Sequence, residues 1–196
     1  YVVATHTGMA AAVHRQGLPF VLVSSGGGRF GRALLETALQ TWPHPRFRGH
    51  LLWLVAGPHM NREDVNLLKA LCGEKENVRL SIAVPGLHQW FPLASLSVSQ
   101  AGYNTTLEVL SAHIPSVLVP FAEGRQEEQT IRARLLARAG WCQIVEESTL
   151  SPQSLAAAMD AAMPPPETLH LHDHGAAVSA AILEKLCRNA SRGHGP

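Results

Sequence analysis

The chain has 196 residues, 46% hydrophobic and 16% charged, and a net charge of +1 with histidine neutral. That balance suits one packed domain with a real core, argues against disorder and gives no electrostatic case for a nucleic-acid partner. The apolar runs PFVLV, HLLWLVA and IPSVLVPF fall far short of the ~20 residues a membrane-spanning helix needs.

Residues Tyr1 to Gly17 carry no decisive pattern and form an uncertain N-terminal segment. From Leu18 the order is regular. PFVLVSS reads as a first buried strand, bounded by Gly26-Gly27-Gly28. RALLETALQTW reads as a helix closed by Pro43, LLWLVA as a second strand ended by Gly57-Pro58, and VNLLKALCG as a second helix. VRLSIAV is the third strand, LHQWFPLA a short helix, and LSVS a fourth strand leading through Gly102 into a helix over Leu107, Val109 and Leu110. SVLVPF, EEQTIRARLLARAG and CQIVEE follow as strand, helix and strand. Ser151-Pro152 has the cap-then-proline pattern of a helix start. Pro164 to Pro166 breaks the chain before a last amphipathic helix, AAVSAAILEKLCR. Domain boundaries are thus expected at 18–163 for an α/β ligand-binding domain and 164–196 for a proline linker with its helix.

Strands apolar on both faces that alternate with helices predict an α/β fold: a doubly wound, Rossmann-like parallel sheet with helices on both faces. Ligands of such sheets sit at the carboxyl ends of the strands. The glycine loops after the first, second and fourth strands, at Gly26 to Gly28, Gly57 and Gly102, all fall there. Gly26, Gly27 and Gly28 allow a close backbone approach, although they read equally as a tight turn. The run Gly102, Tyr103, Asn104, Thr105, Thr106 is a strand-to-helix turn whose backbone N–H groups and helix dipole favour phosphate. Glu108, four residues past Asn104, suits sugar hydroxyls; the alternatives are a plain helix cap at Asn104 or Thr105 and a solvated Glu108.

Three ordered motifs, AGYNTTLEVL, PSVLVPF and EEQTIRARLL, resemble the donor-binding half of GT-B glycosyltransferases. The likeness is to the bacterial peptidoglycan N-acetylglucosaminyltransferase group and related bacterial enzymes. It implies transfer of a hexose from a nucleotide diphosphate sugar, a UDP-sugar in preference, to a hydroxyl acceptor. By that resemblance the main chain around Gly102 and Tyr103 and the Thr105 hydroxyl hold the diphosphate, Glu108 the ribose, and Glu128 and Gln129 the hexose. Val84 marks the loop that meets the nucleobase, and Gly26 to Gly28 face the interdomain cleft. Gln100 stands where many relatives have histidine, and Arg132 where they have asparagine. Without the resemblance, Glu128 and Gln129 read as an ordinary acidic first turn.

No DxD pair is present, so no divalent metal and no cofactor is expected. His170, His172 and His174 read as a solvated loop rather than a metal site. Cys72, Cys142 and Cys187 are far apart and read as reduced thiols of a cytoplasmic protein. The chain opens at Tyr1, which suggests a fragment whose general base, acceptor site and any peripheral membrane contact lie in a missing N-terminal domain or partner chain. The rival readings are a UDP-sugar epimerase or hydrolase on the same fold, and a non-catalytic nucleotide-sugar-binding subunit.

Overall fold

The computed structural model describes residues 17–28, 31–73, 75–121, 127–166 and 175–192. Its elements run β1 (Phe20–Ser24), α1 (Arg32–Thr41), β2 (Leu51–Ala56), α2 (Arg62–Cys72), β3 (Val78–Ile82), β4 (Leu96–Gln100), α3 (Tyr103–Ser111), β5 (Ser116–Val119), α4 (Glu127–Arg138), β6 (Gln143–Ile144), α5 (Pro152–Ala161) and α6 (Gly175–Arg192). The six strands form one sheet in the order β3-β2-β1-β4-β5-β6, and every described pairing is parallel. The sheet grows outward from β1 on one side, then returns to grow outward from β4 on the other. This is the doubly wound, Rossmann-like order that the strand–helix alternation predicts.

Alternate side chains along each strand enter opposite faces. Val21, Val23, Leu52, Leu54 and Val98 pack with Leu35 and Leu39 of α1 and with Leu155 and Met159 of α5. Phe20, Leu22, Trp53 and Val55 pack on the other face with Trp90, Phe91 and Val109. Trp53 anchors that second layer. It is fully buried, meets Phe20 and Trp90 edge-on at centroid distances of 5.7 and 5.1 Å, and its indole N–H donates to Ser81 Oγ at 3.0 Å. Under α3 the sheet carries Ser97, Ser99 and Ser116, all buried, so small side chains receive this helix.

Three elements differ from the sequence expectation for physical reasons. The stretch LHQWFPLA forms two short 3-10 turns, Leu87–Gln89 and Phe91–Leu93, because Pro92 lacks the N–H that one continuous helix would need. α2 starts at Arg62, before the predicted VNLLKALCG, because Asn61 caps it by accepting from Asp64 N–H at 2.7 Å. CQIVEE pairs over two residues only, Gln143 and Ile144, at the edge of the sheet. The Ser151 start is as read: a capping box in which Ser151 Oγ accepts from Ser154 N–H at 3.1 Å and Ser154 Oγ accepts from Ser151 N–H at 2.9 Å.

The chain divides into two compact units between Pro166 and Glu167. In the second unit α6 exposes Val178, Ile182, Leu183 and Leu186. The histidine triplet lies outside the described residues, as does the segment before Gly17. No helix among the described residues is long and apolar enough to cross a membrane. Cys72 and Cys142 are buried free thiols, and burial pushes Cys142 up to about 12.

The last turn of α5 is held from a distance in sequence. Arg46 donates to the carbonyls of Met159, Asp160 and Ala162 at 2.6, 2.7 and 3.0 Å, a cation placed on the negative end of the helix. Arg46→Ala leaves those carbonyls to water and should cost about 1.5 kcal/mol, the low end for a charged donor, because the guanidinium is partly solvated. The expected fall in Tm is about 3–6 °C. An unchanged melting curve would remove the contact from the stability account.

Candidate functional site at the switch point

β1 and β4 are neighbours, with Ser24 in register with Ser99, yet their connections leave in opposite directions. Their carboxyl ends therefore open a cleft between two loops, the crevice where ligands of this fold bind. The cleft measures about 390 Å³, with Gly26, Gly27 and Gly28 on one side and Gln100, Gly102, Tyr103, Asn104 and Thr105 on the other. Phe121 and Gln129 complete its lining.

α3 enters this space without a side-chain cap, since Gly102 is its N-cap residue. Thr106 N–H donates to the Gly102 carbonyl at 2.9 Å. The three preceding amides, of Tyr103, Asn104 and Thr105, have no intrahelical acceptor by the geometry of a helix start. Neither Asn104 nor Thr105 serves as the cap, so that reading of the pair is set aside. Uncapped amides at the positive end of a helix dipole have the chemistry to receive an anion.

The glycine loop is braced from beneath. Gly26 has a φ of +67°, a conformation that residues with a Cβ rarely adopt, and its N–H donates to Ser24 Oγ at 3.2 Å. Buried Ser25 accepts from Gly57 N–H at 3.0 Å, joining the loops after β1 and β2. A Cβ at Gly57 would stand 2.3 Å from the Gly26 carbonyl oxygen. Gly57 is therefore required by close backbone approach.

Gln129 Oε1 accepts from Phe121 N–H at 3.1 Å. Glu128 does not line the cleft; it is exposed and stands 4.0 Å from Arg132. Thr106 also lies outside the lining. It is 1% exposed, and its hydroxyl has no hydrogen-bond partner among the described residues. Of the AGYNTT run, then, Ala101 and Thr106 belong to the packing and Gly102 to Thr105 to the cleft.

A second recess, about 330 Å³, shares Gly26, Gly27 and Thr105 with the cleft. Its floor is apolar, built from Val55 and Pro58 at the end of β2 and from Val84, Pro85 and Leu87 after β3. Glu108 is half-buried in a third recess of about 370 Å³, with His88, Pro92 and Ser111. Leu87 lines the second recess and His88 the third, so the Leu87–Gln89 turn stands between them. Glu108 follows Thr105 by three residues on α3, and such pairs are neighbours on a helix surface.

Sequence reasoning places the Gly57 loop at the ligand end of the sheet without giving Gly57 a role, and it misses Leu87 and Phe121. Phe121 comes within two residues of the carboxyl end of β5, and that position was the available signal. Among the described residues, no group of three His, Cys, Asp or Glu side chains could hold a metal ion.

The brace at Gly57 gives a direct test of the loop geometry. Gly57→Ala forces backbone against backbone and should cost about 1–3 kcal/mol. Gly27→Ala, with nothing within 4 Å of its added Cβ, should leave the melting temperature nearly unchanged. Equal effects in thermal denaturation would contradict the close approach.

The glycosyltransferase family 28 C-terminal domain matches residues 50–185, more than half of the chain. The UDP-N-acetylglucosamine--N-acetylmuramyl-(pentapeptide) pyrophosphoryl-undecaprenol N-acetylglucosamine transferase of Agrobacterium fabrum is 28% identical over 107 residues, 50% of this chain and 28% of that protein. The enzyme of the same name from Chromohalobacter salexigens is 36% identical over 104 residues, again 50% and 28%. Among solved structures, Acinetobacter baumannii MurG superposes with a TM-score of 0.56 at 23% identity, covering 71% of this chain and 40% of that one. The spinosyn rhamnosyltransferase SpnG, complexed with thymidine diphosphate, gives 0.56 at 20%, covering 73% and 36%. Both share the fold. The chain spans less than a third of the length of these curated relatives. It belongs to the glycosyltransferase family 28 C-terminal domains, the donor-half class that its three motifs resemble.

Proposed function

We propose that this chain holds the nucleotide diphosphate sugar, a UDP-sugar in preference, for transfer of its hexose to a hydroxyl acceptor. The observation that carries the reading is the uncapped start of α3 facing the glycine loop across the β1/β4 cleft. When the bond between the sugar and the diphosphate breaks, negative charge grows on the departing phosphate oxygen. Amides fixed in advance at a helix N-terminus stabilise that charge without reorganising. The role assigned to these residues is therefore leaving-group stabilisation.

The apolar recess under Val84, Pro85 and Leu87 suits a flat nucleobase, and Thr105 links it to the diphosphate cleft. The names of the curated relatives include UDP-N-acetylglucosamine, and the SpnG complex holds thymidine diphosphate; both favour a pyrimidine nucleotide. Gln129 and Asn104 offer amide groups for the hexose hydroxyls. The general base and acceptor site belong to an N-terminal domain or partner chain in this reading. The setting is a bacterial cytoplasm, the compartment that reduced Cys72 and Cys142 suit. The curated relatives reported are transferases, and no observation favours an epimerase, a hydrolase or a non-catalytic subunit.

Glu108 supplies the test. Its position one helical step beyond Thr105 suits the ribose hydroxyls, a charged acceptor worth ~1.5–3 kcal/mol. Glu108→Ala should weaken UDP binding by roughly tenfold to a hundredfold, and Glu108→Gln by less, because its amide oxygen still accepts. Both variants should melt with the parent chain. Calorimetric titration decides it: unchanged dissociation constants would remove the ribose contact.

A further inference from the structure

Arg132 is tied to the cleft without lining it. Its Nη1 donates to the carbonyl of Ala101 at 3.1 Å, the residue just before the Gly102 turn. The guanidinium also lies over the Tyr103 ring, 5.2 Å from its centroid, and Nη2 stands 4.0 Å from Glu128. One planar group on α4 thus grips both sides of Gly102, the last residue of the β4 exit and the first residue of α3. Ala101 is fully buried, and its own N–H donates to the Val119 carbonyl at 3.2 Å. Its carbonyl is therefore a fixed point rather than part of a loose loop. Gly102 has no side chain with which to restrain the turn, and Tyr103 is otherwise largely exposed.

We propose that Arg132 is a positioning residue for the diphosphate: by clamping the Ala101 carbonyl and the Tyr103 ring, it aims the first amides of α3 into the cleft. This rests on the donor-binding reading above. Several aligned N–H groups hold an oxyanion well only if their directions are set beforehand. A flat guanidinium can stack and donate in its own plane at once, whereas a lysine ammonium can do only one of these with fixed geometry. Arg132 therefore acts through backbone direction rather than through its net charge.

The experiment is an NMR titration of the chain and of its Arg132→Ala, Arg132→Lys and Arg132→Gln variants with UDP and, separately, with uridine. The expected result is a UDP dissociation constant about tenfold higher in Arg132→Ala, with uridine affinity within twofold of the parent. Arg132→Lys should be nearly as weak as Arg132→Ala, although it keeps the charge. Arg132→Gln, which can still donate to Ala101, should lie between. Parent-like UDP affinity in Arg132→Lys would overturn positioning in favour of plain charge. Equal losses for UDP and uridine, or parent-like affinity in all three variants, would overturn it too. Thermal denaturation confirms that each variant is folded; should Arg132→Ala fail to fold, the lysine and glutamine variants decide. Failure of the parent chain itself to bind UDP would instead strike the donor-binding reading.

Discussion

The parallel pairing of β1 with β4 is the constraint on which the site depends. Strand order would otherwise put the connections after β1 and β4 on separate parts of the sheet edge. Adjacent pairing with diverging connections brings a glycine loop and a helix N-terminus to opposite walls of one cleft. The side chains that enforce the pairing lie below the site. Val21 and Val23 lie opposite Leu96 and Val98, and all four belong to a single apolar layer with α1 and α5. On the other face the sheet carries the buried serines Ser97, Ser99 and Ser116 near α3.

The cleft lining among the described residues carries no ionisable side chain apart from the phenol of Tyr103: it consists of glycines, two glutamines, an asparagine, a threonine and two aromatic rings. Among the described residues, what this lining offers an anion is backbone N–H groups and the α3 dipole. Such a site depends on direction more than on charge. That explains the investment in bracing: Ser25 to Gly57, Gln129 to Phe121, and Arg132 to Ala101 each fix a backbone segment beside the cleft. Gln100 is consistent with this design, since it can donate a hydrogen bond but never carries charge.

Much of the fold was legible because strong local signals agreed. LLWLVA has apolar residues on both faces and reads as a buried parallel strand over its observed length, and Ser151-Pro152 marks a helix start by cap chemistry alone. The site was legible only in outline. Strand–glycine–helix geometry located the amides of α3, but the roles of Thr105 and Thr106 depend on which face of the helix meets the sheet. That is a matter of packing, so Thr106 was grouped with its neighbours although its side chain is buried. Glu128 and Gln129 are adjacent in sequence and separate in space for the same reason: one turns to solvent while the other bonds to Phe121 N–H. Gly57 was legible as a loop at a strand's carboxyl end, but the need for glycine there was not, because it arises from the Gly26 carbonyl, far away in the chain.

The central claim is that a diphosphate sits on the amides of α3 and the glycine loop. The most direct measurement is the backbone ¹H–¹⁵N NMR spectrum of the chain during titration with UDP. The largest shifts are expected on the amides of Gly26, Gly27, Tyr103, Asn104 and Thr105, with smaller ones at Val84 and Glu108. Shifts centred elsewhere on the sheet, or on the α6 unit, with these amides unmoved at saturation, would contradict it.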